Sequence, residues 1–146
     1  TAPEVKLRSL LHRRGFRFRV NRHDLPGKPD IVLPKYKTVI FVHGCFWHGH
    51  KGCRYATKPK SNVEFWEAKI VRNRHRDEVT NAHLEALGWH VITVWECELS
   101  TGLQLEDRLN ALAEEIRFAG NCKKQTEIQR KLGRAAAKKE RNLMLI

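Results

Sequence analysis

The sequence predicts an α/β domain in which a central mixed β-sheet is flanked by helices. Two short apolar runs, residues 38–42 and 89–95, are typical of strands that are buried on both faces. A long segment with helical spacing separates these runs, which predicts a crossover helix between the two strands. The chain has 146 residues, of which 41% are hydrophobic, and this is enough for one domain with its own core.

The first part of the chain predicts one helix and three strands. Thr1 and Glu4 have the spacing of a capping box, and Gly15 is a typical residue for the end of a helix. Alternating apolar residues at 16–20 predict a half-buried strand. Residues 24–29 form a turn and residues 30–33 a short strand, so segments 16–20, 30–33 and 38–42 are expected to form an antiparallel meander.

The second part predicts two helices around one strand. Residues 61–64 have a second capping-box pattern, which opens a long helix that ends before Gly88. Residues 103–118 carry apolar residues at helical spacing, so the predicted order is α-β-β-β-α-β-α. The domain is expected to span residues 1–120. Residues 121–146 form a basic tail that is either a surface helix or disordered until it meets a partner.

The positive charge lies at the two ends of the chain. Lys and Arg number 28 against 16 Asp and Glu, which gives a net charge of +12. Residues 1–23 have seven basic residues and one acidic, residues 121–146 have eight and two, and residues 24–120 have thirteen of each. This distribution predicts DNA or RNA as the partner. No apolar run approaches the ~20 residues of a membrane span, and residues 1–30 lack the apolar region of a signal peptide. We therefore expect a cytoplasmic protein with no membrane partner.

The segment 43–53 concentrates residues that bind metal ions. Cys45, His50 and Cys53 can supply three ligands to a structural zinc, which usually has four. Cys97, which follows a predicted buried strand, is the favoured fourth ligand, and Cys122 in the basic tail is its rival. His48 is an alternative to His50, but the choice of His50 leaves His48 free for other work.

Two large aromatic residues, Phe46 and Trp47, lie beside these candidate ligands in a polar loop. One interpretation is a small hydrophobic core that packs on the zinc. The other is a wedge that inserts between DNA base pairs and unstacks them. The local sequence supports both interpretations equally.

Four polar residues are candidates for a reaction at a phosphodiester. Asp30 begins a short strand, and its carboxylate can bind Mg²⁺, which polarises a phosphodiester and activates water. His43 follows a buried strand and is either a general base or a surface residue. Glu4 has a second interpretation in the capping box. Asp77 has one as an ion-pair partner of the neighbouring arginines on its helix.

Four blocks of the sequence carry a family resemblance. They are LPGKPD at 25–30, VIFVHGCFWH at 39–48, NVEFWEAK at 62–69 and VWEC at 94–97. Together they resemble the very-short-patch repair (Vsr) endonucleases, over about residues 3–99. The resemblance implies the restriction-endonuclease-like PD-(D/E)xK fold. Residues 41–43 replace the lysine of the usual nuclease motif, which is typical of this family.

The resemblance also implies a function and its site. The family makes a Mg²⁺-dependent nick 5′ to the T of a T:G mismatch, which arises when 5-methylcytosine deaminates, and the nick starts short-patch repair. The implied catalytic residues are Asp30, His48, His43, Glu4 and Asp77. Magnesium is bound by Asp30 and by the backbone carbonyl of Val42, which stands where the family usually has threonine. The implied ligands of the structural zinc are Cys45, His50, Cys53 and Cys97, and the implied wedge residues are Phe46 and Trp47.

Double-stranded DNA with a T:G mismatch is therefore the expected substrate of a nucleoid-associated bacterial monomer. A mismatch-repair protein is a candidate partner. Two alternatives stay open. A restriction-like or mobile-element nuclease of the same fold would cut without a T:G requirement. A catalytically inactive, zinc-stabilised DNA-binding module would bind the mismatch without a cut.

Overall fold

A computed structural model describes residues 1–145 of the chain. The helices are α1 (Ala2–Arg13), α2 (Val63–Ala86) and α3 (Leu103–Met144). The strands are β1 (Ile31–Leu33), β2 (Thr38–His43) and β3 (His90–Trp95). Two short 3₁₀ helices, Pro34–Tyr36 and Glu96–Leu99, follow β1 and β3. Among the described residues, no helix has both the length and the apolar character to cross a membrane.

The three strands form one mixed sheet in the order β1-β2-β3. β1 is antiparallel to β2, with Ile31 opposite Ile40. β3 is parallel to β2, with Thr38 opposite His90, and α2 provides the crossover between them. The predicted mixed sheet flanked by helices is thus confirmed.

The predicted strand at residues 16–20 is wrong. The segment contributes a single bridge, in which Arg19 and Val32 exchange backbone hydrogen bonds of 2.7 and 2.9 Å. Gly15 and Asn21 on either side of the segment have positive φ angles of 87° and 55°, so the extended stretch between them is short. The alternating pattern reflects the burial of the Phe16 ring, which packs edge-on against Tyr36. The meander therefore has two strands rather than three.

The sheet separates two apolar clusters because successive strand residues point to opposite faces. α1 and α3 cover one face, and the carboxyl-terminal end of α2 covers the other. The larger cluster contains the buried residues Leu7, Leu11, Ile31, Leu33, Ile40, Ile92, Leu109, Leu112 and Ile116. The smaller cluster contains Leu25, Val32, Val39, Phe41, Leu84 and Trp89.

The two predicted capping boxes have different outcomes. At α1 the box is present, because the Glu4 N–H donates to Thr1 Oγ1 and the amino terminus donates to Glu4 Oε2. The box at residues 61–64 is wrong. Asn62 is the N-cap of α2 in a left-handed conformation with φ 51°, and its side chain makes no capping hydrogen bond.

Helix α3 continues through the predicted boundary at residue 120 and reaches Met144. Of the two alternatives for the basic tail, the structure forms the surface helix, and residues 121–145 are exposed throughout. Gly120 allows α3 to lie close to the 3₁₀ helix at residues 34–36. A Cβ atom on Gly120 would approach the ring of Tyr36 to 2.7 Å.

Candidate active site and metal centre

A cavity of about 700 Å³ lies at the carboxyl-terminal end of β2. Its lining includes every residue that the sequence places in catalysis or magnesium binding: Glu4, Asp30, Val42, His43, His48 and Asp77. These residues come from the start of α1, the turn before β1, the end of β2, the loop after β2 and the middle of α2. The fold therefore brings together residues that are up to 73 positions apart in the chain (Glu4 and Asp77).

Asp30 is held at the cavity by backbone hydrogen bonds. Its N–H donates to the carbonyl of Ile40 at 3.1 Å, and its Oδ2 accepts from the N–H of Val42 at 2.7 Å. Burial raises the pKa of Asp30, the hydrogen bond from Val42 opposes this shift, and the nearby Glu4 carboxylate raises it further. A cation beside these carboxylates would relieve the cost of their burial. Hard oxygen ligands of this kind fit Mg²⁺.

Glu4 performs its capping role and also lines the cavity. In addition to the bond from the amino terminus, its Oε2 lies 3.5 Å from a guanidinium nitrogen of Arg8, one helical turn later. Its carboxylate thus meets positive charge on two sides while it faces Asp30.

His48 is oriented by Asp77. Its Nδ1 lies 2.6 Å from Asp77 Oδ2, and both side chains are only about one-fifth exposed. If Nδ1–H donates to Asp77, the Nε2 of His48 keeps its lone pair and can accept a proton. The imidazole of His43 stacks on His48 with a centroid separation of 3.8 Å and an interplanar angle of 4°.

His43 stays neutral beside this pair. Burial lowers the pKa of His43 to about 4, the charge of His48 acts in the same direction, and Asp77 opposes the shift. His43 is 7% exposed, so its interpretation as a surface residue is wrong. His43, His48 and Asp77 offer ligand atoms within 4.8 Å of one another, so this group too could hold a metal ion.

The other interpretation of Asp77, as an ion-pair partner of arginines on its own helix, is not what the structure forms. Its carboxylate is directed to His48, and Arg76 donates instead to Asn73 Oδ1 at 3.0 Å. Arg76 also lines the cavity, together with Lys28 and His23. These three basic residues were not predicted as site residues. The only sequence signal for basic residues at the site was the net positive charge of the whole chain.

A second cluster, formed by the loop after β2 and the 3₁₀ helix after β3, could hold a metal ion. Cys45, His50, Cys53 and Cys97 offer ligand atoms that all lie within 4.8 Å of one another. The distance from Cys97 Sγ to His50 Nδ1 is 3.5 Å. Such spans suit a tetrahedral zinc, whose bonds are about 2.3 Å to sulfur and about 2.0 Å to nitrogen. Cys122 is exposed on α3 and is not part of this cluster.

The electrostatics of the thiols also fit a bound cation. Burial raises the pKa of Cys97 to about 12, and hydrogen bonds and charge from Cys45 and Cys53 act in the same direction. Burial likewise raises the pKa of Cys45. Burial acts to raise the pKa of Cys53 too, but hydrogen bonds from the backbone of Tyr55 and the neighbouring thiols lower it overall. Crowded thiols cannot ionise together without a positive charge between them, and a metal ion supplies that charge.

The loop that carries Cys45, His50 and Cys53 is held in place by several contacts. The imidazole of His50 stacks on Trp95 at the end of β3, with a centroid separation of 4.1 Å. The N–H of Cys45 donates to Glu96 Oε1 at 3.1 Å. Gly49 has a φ of +62°, and a Cβ atom there would come within 2.5 Å of Ile70 on α2. Sequence analysis did not identify Trp95 or Glu96 as supports, because neither has a metal-ligand pattern.

The Phe46 and Trp47 rings pack against α2. Their rings meet Trp66 edge-on, with centroid distances of 5.5 and 5.7 Å. The carbonyl of Trp47 accepts from Asn73 Nδ2 at 2.9 Å. The Trp47 side chain is still 48% exposed, so a rigid aromatic edge projects from the surface next to the cavity. The small hydrophobic core on zinc and the DNA wedge both stay predictions: the structure shows ring packing on Trp66 and an exposed Trp47 edge.

Trp66 and Lys69 on α2 both contact the exposed ring of Trp47, although sequence analysis gave them no role. The Lys69 ammonium lies over the rings of Trp47 and Trp66, at 5.2 and 5.5 Å from their centroids. These contacts place positive charge beside the exposed aromatic edge. The spacing of Trp66, Lys69 and Asn73 at i, i+3 and i+7 on α2 is the pattern that could have indicated a shared face.

Comparison with known proteins matches residues 1–54 to the family model described as DNA mismatch endonuclease Vsr. The type II nicking enzyme V.XorIIP of Xanthomonas oryzae is 54% identical over 114 residues, which are 78% of this chain and 83% of the relative. The DNA mismatch endonuclease Vsr of Escherichia coli is 46% identical over 116 residues, which are 80% of this chain and 72% of the relative. This chain belongs to the Vsr family.

A further relative is the type II nicking enzyme V.NmeAIP of Neisseria meningitidis, with 51% identity over 119 residues, 82% of this chain and 84% of that protein. The part of the Vsr-family chain that matches the family model, residues 1–54, contains Asp30 and His48 but ends before Asp77 and Cys97. The structure shows that these two later residues complete the cavity and the thiol cluster.

Proposed function

We propose that this Vsr-family protein nicks one strand of duplex DNA 5′ to the T of a T:G mismatch, in a Mg²⁺-dependent reaction. Relatives that are named DNA mismatch endonuclease and nicking enzyme support a mismatch-specific nicking endonuclease. The observation that carries the proposal is the single cavity in which all six predicted residues meet.

His48 is the proposed general base. Asp77 binds Nδ1 of the imidazole, which leaves Nε2 to accept a proton from the attacking water. Stacking on the neutral His43 fixes the plane of the His48 ring. Asp77 acts through His48 and is therefore a positioning residue.

Asp30 and the carbonyl of Val42 are the proposed ligands of Mg²⁺, with Glu4 beside them. When bound, this ion supplies positive charge that stabilises the phosphorane-like transition state and lowers the pKa of water. The placement of Asp30 before an antiparallel strand pair supports the PD-(D/E)xK relationship. Val42 contributes only backbone to the ion, so the lack of the usual threonine hydroxyl does not remove the ligand.

Cys45, His50, Cys53 and Cys97 are the proposed ligands of a structural zinc. Zinc here would have no open position for substrate and would hold the loop rigid. Phe46 and Trp47 extend from that loop, and we assign them as the wedge that enters the stack beside the mismatch. A wobble pair stacks poorly, so opening it costs less than opening a Watson–Crick pair.

A nicking assay on three labelled duplexes tests this function. The duplexes differ only at one position, which holds T:G, C:G or T:A, and each is incubated with Mg²⁺ and without it. We expect one Mg²⁺-dependent nick, 5′ to the mismatched T. Equal cutting of all three would instead assign a general nuclease of the same fold. Selective binding of the T:G duplex without a cut would assign an inactive binding module.

A further inference from the structure

A basic groove lies at the opposite end of the sheet from the cavity. It has a volume of about 570 Å³ and is bounded by the 3₁₀ helix at residues 34–36, the turn after α2 and the carboxyl-terminal half of α3. Lys37 immediately precedes β2, whereas Val42 and His43 end it. Five residues of an extended strand span about 17 Å, so groove and cavity are separate sites.

The groove is strongly and almost uniformly positive. The body of the domain contributes Lys35 and Lys37. Helix α3 contributes five more basic residues: Lys123, Lys124, Arg130, Lys131 and Arg134. Glu127 is the only acidic residue in its lining, and it pairs with Lys131 at 3.2 Å. Seven positive charges against one make this a site for a polyanion.

The basic residues of α3 lie on the helical face that continues its buried face. Up to residue 120 this face is apolar and packs on the sheet through Leu105, Leu109, Leu112 and Ile116. Steps of four and seven residues keep the same face of a helix. Beyond residue 120 the same steps lead to Lys123, Arg130, Arg134 and Arg141. The face therefore changes from apolar to basic where the helix leaves the domain.

The extension is held at a defined place. Gly120 packs against Tyr36, so the helix leaves the body next to the lysines of residues 35 and 37. The 24 helical residues from 121 to 144 extend about 36 Å, which is close to one turn of duplex DNA. This length and the charge stripe match a phosphate backbone.

We propose that this groove binds the phosphate backbone of a second segment of duplex DNA, apart from the segment held at the cavity. The proposal relies on the proposed function only for the choice of DNA as the polyanion. Exposed apolar residues on the extension, such as Ile128 and Leu132, make an anionic membrane surface the competing ligand. DNA is favoured because the charged residues that line the groove are almost all basic, and the lining includes neither Ile128 nor Leu132.

A two-colour bridging assay on the full chain tests the proposal. A donor-labelled T:G duplex and an acceptor-labelled matched duplex, each of about 20 base pairs, are mixed with the protein without added Mg²⁺. We expect energy transfer with the wild type and at least about a tenfold loss with the triple variant Lys123→Gln, Arg130→Gln, Arg134→Gln. For binding to the matched duplex, the slope of log K against log salt should be smaller in magnitude by about 2.7 in the triple variant than in the wild type. The reason is that each of the three lost phosphate contacts contributes about 0.9 to this slope.

The matched control keeps the charges and exchanges the side chains: Lys123→Arg, Arg130→Lys, Arg134→Lys. We expect it to bridge within about twofold of the wild type. Undiminished bridging by the glutamine variant would overturn the proposal, as would an equal loss in both variants, which would indicate helix structure rather than charge. Binding to phosphatidylserine vesicles through these residues, without bridging of DNA, would assign the membrane instead. A wild type that bridges duplexes but does not nick would refute the proposed function and leave the groove intact.

Discussion

The hydrogen bond between Asp77 and His48 gives the sharpest test of the proposed mechanism. Asp77→Asn keeps the size of the side chain but removes the charge and offers an amide to the histidine. We expect the single-turnover nicking rate on a T:G duplex to fall while the affinity for that duplex stays within about twofold. The reason is that the Nδ1 of His48 loses its charged acceptor. The amide oxygen of asparagine accepts more weakly, and the amide NH2 can donate to Nδ1 instead, which would leave the proton on Nε2 and remove the base.

The size of the effect follows from the geometry. The two atoms are 2.6 Å apart and the side chains are 23% and 22% exposed, which describes a short, partly buried, charge-assisted bond. Such bonds contribute about 1.5–3 kcal/mol. Because about 1.4 kcal/mol corresponds to a factor of ten in rate, the nicking rate should fall about 10- to 150-fold. His48→Ala removes the base itself and should cost about 10²- to 10⁴-fold.

A double variant and a neighbouring control make the test decisive. If Asp77 acts through His48, then Asp77→Asn should add little to the loss already caused by His48→Ala. Glu78→Gln, at the next and exposed position of α2, should nick at the wild-type rate. An Asp77→Asn rate within about twofold of the wild type, or additive losses in the double variant, would refute the positioning role.

Three further outcomes are expected. Cys97→Ser should abolish stoichiometric zinc and lower Tm by more than about 10 °C, measured by metal analysis and calorimetry, whereas Cys122→Ser should change neither. Trp47→Ala should reduce kcat/KM on T:G duplexes about 5- to 150-fold, from about 1–3 kcal/mol of lost stacking, with little change in Tm because the ring is half exposed. Asp30→Ala should lose Mg²⁺-dependent nicking at least about 10³-fold, and retained cleavage would contradict the magnesium assignment.

The sequence predicted the fold best where periodicity and burial coincide. The apolar segments at 38–42 and 89–95 both form strands. β2 is covered on both faces, whereas β3 buries Ile92 and Val94 on one face and leaves its other face partly exposed. The segment at 16–20 also alternates, but Phe16 is buried beside the sheet edge rather than within a strand pair. Alternation reports which side chains are buried, and pairing depends on a partner that the local sequence does not specify.

For the candidate site too, the sequence predicted what is local and missed what depends on tertiary contacts. Cys45, His50 and Cys53 are close in sequence, so their spacing indicated a metal-binding loop directly. The pairing of Asp77 with His48 spans 29 positions. The arginines next to Asp77 offered a local partner that the fold does not use. Contacts between distant residues arise from tertiary packing, which local spacing cannot predict.

The distribution of the cavity residues over five segments has a consequence for synthesis. A nascent chain that ends before residue 63 already carries Asp30 and His48 but lacks the helix that bears Asp77. One that ends before residue 97 lacks the last of the four cluster residues. On the proposed mechanism, no chain that ends before residue 97 has both an assembled nuclease centre and a complete thiol cluster. The proposed cutting activity therefore arises only after synthesis has passed residue 97, so short nascent chains cannot cut the chromosome.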